Sequence, residues 1–64
     1  MIKEFNVINN WDNEPRIIKR VICETHEQAS AKVKFIYPNA CYFLEVKPSG
    51  RQWSGIDDYI QNRG

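Results

Sequence analysis

The sequence is short of most features that mark a specialised chain. Its charge is nearly balanced, with nine basic residues against eight acidic ones and a formal net charge of +1. That excludes the basic excess of a general DNA-binding domain, and equally the acidic excess that a DNA mimic needs. There is no long run of one sign. No apolar stretch approaches the ~20 residues of a membrane span, and no signal peptide or lipidation signal is visible. The expectation is a cytoplasmic chain with no membrane partner. The three glycines, Gly50, Gly55 and Gly64, do not form a phosphate-binding loop.

Groups that carry chemistry are equally sparse. Cys23 and His26 have C-x-x-H spacing, and Cys41 would add a third zinc ligand. A structural zinc site wants four ligands in paired short spacings, so Asp57 or Asp58 would have to complete it. His26 is better read as an exposed residue of a first helical turn. A Cys–His nucleophile would need a low-pKa thiol, an orienting third group and a cleft, and a domain this small has little room for a cleft. The side chains of the adjacent Asp57 and Asp58 diverge, which suits a solvated helix start. Neither a metal nor another cofactor is expected, and the chain is read as not an enzyme. Cys23 and Cys41 are read as two reduced thiols; a disulfide would require them to sit on neighbouring strands.

What is present is a well-signalled helix. Thr25 is a good N-cap, and Gln28 three residues later completes a capping-box pattern. Glu24 and Glu27 place negative charge at the start, while Lys32 and Lys34 lie toward the end. Pro38 disfavours helical geometry at Tyr37, and Asn39 can take a left-handed turn. Ala29, Val33, Ile36 and Tyr37 share one narrow face. Phe35 falls off that stripe and is expected to cover the rim of the core.

Strands are expected on both sides of the helix. Ile2 to Ile8 alternates at Phe5 and Val7. The polar loop Asn9-Asn10-Trp11-Asp12-Asn13-Glu14-Pro15 carries turn chemistry, with Trp11 expected to fold back onto the core. Arg16 to Glu24 is rich in β-branched residues and pairs with the first strand as a hairpin. In Cys41 to Lys47, the residues Tyr42, Leu44 and Val46 form an inward set, with Phe43, Glu45 and Lys47 on the other face. Lys47-Pro48-Ser49-Gly50-Arg51 reads as a hairpin turn into a short strand, Gln52 to Ile56, that carries Trp53. Ile56 to Gln61 reads as a last helical turn, and Asn62, Arg63 and Gly64 as a fraying end. The expectation is one α+β domain over residues 1–64, an antiparallel sheet of about four strands in ββαββ order with one helix on one face. Its core is small, so good packing or self-association must support it.

Lys19, Arg20, Lys47 and Arg51 are candidates to share the open sheet face with Phe43 and Trp53. Basic residues interleaved with aromatics are how sheets bind single strands, although near-neutral charge predicts only weak, salt-sensitive binding. The stretch Ile22 to Ala29, followed by Tyr37, Ala40 and Leu44-Glu45-Val46-Lys47-Pro48, resembles small bacteriophage inhibitor proteins, including the short phage inhibitor of bacterial RNA polymerase. Gly50-Arg51-Gln52-Trp53 is similar to the terminal hairpin of small anti-CRISPR proteins. The resemblance implies a non-enzymatic blocker that docks a sheet face or edge on a large host complex, with a CRISPR effector slightly ahead of RNA polymerase. The expected contact residues are Phe43, Glu45, Lys47, Arg51 and Trp53, supported by Lys19, Arg20 and Trp11. Two alternatives stand beside it: a nucleic-acid-binding module using the same face, and a structural domain that pairs with a second copy.

Overall fold

Alternation along Ile2–Asn9 places Phe5 and Val7 on one face and Ile2, Glu4, Asn6 and Ile8 on the other. In the computed structural model, which describes residues 1–62, this segment is β1, the middle strand of a three-stranded antiparallel sheet. β2 (Arg16–Cys23) and β3 (Leu44–Trp53) flank it. Phe5 faces Val21 on one side, and Val7 faces Val46 on the other. Helix α1 (His26–Ile36) lies over this face with Ala29 and Val33 buried. Phe5, Val7, Val21, Cys23, Ala29 and Val33 form the core, and Tyr37, Cys41, Leu44 and Val46 pack around it.

The helix begins where its capping chemistry places it. The Gln28 backbone N–H donates to Thr25 Oγ1 at 3.2 Å, and the Glu24 and Thr25 N–H groups donate to Gln28 Oε1 at 2.9 and 3.3 Å. It ends before Pro38, with the Tyr37 N–H returning to the Val33 carbonyl at 2.8 Å. Phe35 does not cover the core rim: it is 88% exposed. Its position is about 200° around the helix from Val33, which turns it away from the sheet.

The second half departs from the expected ββαββ order. Cys41–Phe43 is a single 3-10 turn, and β3 starts only at Leu44. Period-two alternation therefore holds for Leu44 and Val46 but not for Tyr42, which is 77% exposed rather than inward. No hairpin forms at Lys47–Arg51. β3 continues through it to Trp53, so of the expected fourth strand only Gln52 and Trp53 are extended, as the end of the third, and Ile56 opens a helix instead. Phe5 pairs with Pro48 and Lys3 with Gln52, leaving Ser49, Gly50 and Arg51 opposite Glu4 as a bulge. Gly50 takes φ 93°, which a glycine adopts without steric penalty. The same Pro and Gly signals serve a turn and a bulge; pairing with the start of β1 decides for the bulge.

Three residues opposite one leave the alternation of faces unchanged, so Trp53 stays on the side of Glu45 and Lys47, where the sequence places it. Trp53 pairs with Ile2 on the face away from α1. There α2 (Ile56–Asn62) covers it, with Tyr59 edge-on to Trp53 at 4.9 Å between ring centroids. Asp58 Oδ2 accepts the Ser54 backbone N–H at 3.0 Å, so this acid secures the start of α2. Of the end expected to fray, Asn62 is the last residue of α2, and Arg63 and Gly64 lie outside the described residues. None of the helices is long and apolar enough to cross a membrane among the described residues.

Replacing Thr25 with alanine removes one half of the capping box and is expected to lower stability by about 1 kcal/mol. Urea unfolding followed by circular dichroism checks this, and Thr25→Ser should restore the loss.

Candidate protein-contact surface

Among the described residues, α2 is the one element that lies over the sheet face opposite α1, and it does so at Trp53. Its centre is polar. Glu4 is 7% exposed, with Arg20 Nε at 4.0 Å and Arg51 Nη1 at 3.8 Å from its carboxylate oxygens. The bulge is what brings Arg51 there, and the same guanidinium lies 5.2 Å over the Trp53 ring. Next along β1, Asn6 pairs with Arg20 on one side and Lys47 on the other. Its Oδ1 is buried with no hydrogen-bond partner among the described residues, which costs about 1–3 kcal/mol.

At the far end of this face Lys47 Nζ meets Glu45 Oε1 at 3.1 Å, and Asn10 Nδ2 donates to Glu45 Oε2 at 3.0 Å. The bond from Lys47, then that from Asn10, holds the Glu45 carboxyl below its ordinary range. The Asn10 bond ties the β1–β2 loop to β3. The neighbouring Trp11 meets Phe43 edge-on at 4.3 Å, and Tyr42 lies against the other part of Phe43 at 4.1 Å. The expected folding back of Trp11 thus reaches only Phe43. It remains 68% exposed because the ring it meets belongs to the surface 3-10 turn rather than to the core.

The residues singled out from the sequence therefore fall into two groups. Trp11, Phe43, Glu45 and Lys47 gather at the corner where the β1–β2 loop meets the start of β3. Arg20 and Arg51 bracket Glu4 at the middle of the open face, and Trp53 lies buried beneath α2. Lys19 belongs to neither group, since it pairs with Val7 and so lies on the α1 side of the sheet. Sequence reading missed Glu4, Asn10 and Tyr42. Glu4 carries a weak signal, because an acid within a strand that has Phe5 and Val7 for its core face needs cations beside it if that strand is central.

His26 and Cys23 do not share a site. The Cys23 thiol donates to the Thr25 carbonyl at 3.4 Å, whereas His26 Nε2 lies 2.8 Å from the Val46 carbonyl. A carbonyl only accepts, so Nε2 is the protonated nitrogen. Burial pushes the Cys23 thiol up from its ordinary value, against the opposing pull of Lys32 and of the Thr25 bond. Both cysteines are free thiols. An open groove of about 480 Å3 between α1 and β3 is lined by His26, Ser30, Val33, Lys34, Cys41, Leu44, Glu45 and Val46. Among the described residues no group of three or more His, Cys, Asp or Glu side chains could hold a metal ion. No protein family, curated protein or solved structure matches the chain.

Two outcomes are expected. Lys47→Ala should raise the Glu45 carboxyl toward its ordinary value, read by side-chain NMR titration. The native value is depressed on folding, so the contribution of Glu45 to stability is present above its unfolded-state value. It is lost as pH falls through the folded value, and the variant, which keeps only the Asn10 bond, should show a smaller acid-side loss. For the thiols, iodoacetamide at mildly alkaline pH should label Cys41 before Cys23, because Cys23 is buried and its thiolate is disfavoured. Mass spectrometry of the digested protein reads the order.

Proposed function

We propose that the chain is a non-enzymatic inhibitor of phage type that acts in the host cytoplasm by protein–protein contact. Its target is a large nucleic-acid-processing complex, a CRISPR surveillance complex ahead of RNA polymerase. The target class rests on the sequence resemblance at Ile22–Ala29 and Leu44–Pro48; at Gly50–Trp53 the residues resemble the family's ending, but the hairpin that the resemblance implies is replaced by a continuous strand. The docking mode rests on one observation: the exposed rings of Trp11 and Tyr42 are held against Phe43, beside the Glu45–Lys47 ion pair. Rings already fixed by ring contacts lose little freedom on binding and bury a large area, which is how contact hot spots work. A charged pair at their rim adds orientation and partner choice.

A nucleic-acid-binding role is the second reading. Exposed rings such as Trp11 and Tyr42 are groups on which bases stack. It draws less support from the geometry, because Arg20 and Arg51 surround Glu4 and Trp53 is covered, so cations and free rings are not interleaved.

The experiment is affinity capture from bacterial lysate with the tagged protein, with nuclease treatment and mass spectrometry. Recovery of one large complex that survives nuclease is expected. The double variant Trp11→Ala, Tyr42→Ala should keep the native circular dichroism spectrum and bind that complex at least ~30-fold more weakly. Recovery of nucleic acid alone, lost on nuclease treatment, would replace this reading with the second.

A further inference from the structure

Three strands leave the sheet with two edges, and the two differ. On the β3 edge, the Val46 carbonyl points away from β1, since it receives His26 Nε2 at 2.8 Å. By alternation Leu44 and Pro48 also face outward. Pro48 has no N–H to offer, and the Leu44 N–H already donates to the Cys41 carbonyl. This edge is thereby blunted against pairing.

On the β2 edge, the Ile22 carbonyl accepts Lys32 Nζ at 2.7 Å, so it too points outward. Alternation then turns the backbone groups of Arg20 outward and, past the bulge at Ile18, those of Ile17. No residue among those described bonds to these groups. Ile17 and Ile18 are exposed, as is every residue from Arg16 to Arg20. Three of those five, Arg16, Lys19 and Arg20, are cations. Arg16 is matched by Asp12 and Glu14 at 3.0 and 3.1 Å, whereas Arg20 has only the long contact to Glu4.

We propose that the β2 edge, centred on Arg20, accepts an extended acidic segment of a partner protein as a fourth, antiparallel strand. The inference rests on the reading of the chain as a protein-binding module and names the partner's element. The open backbone groups supply the main-chain hydrogen bonds of strand addition. The side chains set the charge of the guest. Acids opposite Arg20 and Lys19 complete cross-strand pairs, and apolar residues cover Ile17 and Ile18. A second copy of the chain is the wrong guest. Antiparallel self-pairing centred on Ile18 sets Arg16 opposite Arg20, and pairing centred on Lys19 or on Arg20 sets that one cation against its own copy.

The test is an amide NMR titration of the ¹⁵N-labelled protein with an end-capped six-residue peptide carrying Glu-Glu-Val-Val, which in antiparallel register sets its acids opposite Arg20 and Lys19 and its valines opposite Ile18 and Ile17. Its controls are the same peptide with lysine for glutamate and a form N-methylated at alternate amides. Shifts concentrated on residues 16–22 are expected with the acidic peptide, and at least about tenfold weaker binding with either control. Lys19→Glu should weaken the acidic peptide about tenfold as well, without changing the unbound spectrum beyond its neighbours. The proposal is overturned by equal binding of the acidic and basic peptides, by shifts confined to Trp11, Tyr42 and Phe43, or by no shift at about 1 mM peptide. Each of these leaves the aromatic corner to be judged by lysate capture, so the two readings fail separately.

Discussion

β1 must lie between β2 and β3 for the rest of the domain to exist. It is the one strand paired on both sides, and its odd-numbered residues Phe5 and Val7 are the floor on which α1 settles. The helix does more than cover this floor. His26 from its first turn reaches the Val46 carbonyl on one edge of the sheet, and Lys32 from its middle reaches the Ile22 carbonyl on the other. One helix thus straps both outer strands. Ala29 and Val33, both small, sit at the contact. They allow α1 to approach closely enough for side chains of ordinary length to reach the edges.

That arrangement spends the compact apolar side chains on a single face. The opposite face of the central strand is left with Glu4 and Asn6, which a small core tolerates only if they are compensated. For Glu4 the compensation is supplied by the β3 bulge. Inserting Ser49, Gly50 and Arg51 opposite one residue of β1 swings a second guanidinium toward the carboxylate and sets Trp53 beside Ile2 at that end. α2 then has a ring to pack on. Removing the bulge would cost Glu4 a cation and α2 its anchor together.

Local signals in the sequence proved readable and non-local ones did not. The helix start at Thr25, its stop before Pro38 and the pairing of the first two strands follow from residues within a few positions of one another. The fate of Pro48 and Gly50 does not: only the availability of Lys3 and Ile2 on β1 distinguishes a hairpin turn from a bulged, continuous strand. Tyr42 was misplaced for the same reason, since it lies one irregularity away from the alternation used to assign its face; Trp53 is on the face assigned to it, and what local reading missed is α2 covering it. The corner of Trp11, Phe43, Glu45 and Lys47 was legible as residue types but not as a group. The Asn10–Glu45 bond that assembles it spans 35 positions.

The distribution of ring systems bears on why such a surface exists. The core is built from Phe5, three valines, an alanine and a cysteine, while Trp11, Tyr42 and Phe35 remain outside. Burial of a large ring is worth more than that of a valine, and a domain of this length has little stability to spare. A sequence shaped for folding alone would bring those rings inward. Phe35 has no neighbouring ring and stands singly on the helix surface, which is ordinary. Trp11 and Tyr42 differ, because both are fixed against Phe43 and stand beside an oriented ion pair. Their exposure is organised, and an organised apolar patch with a charged rim is the form that a contact surface takes.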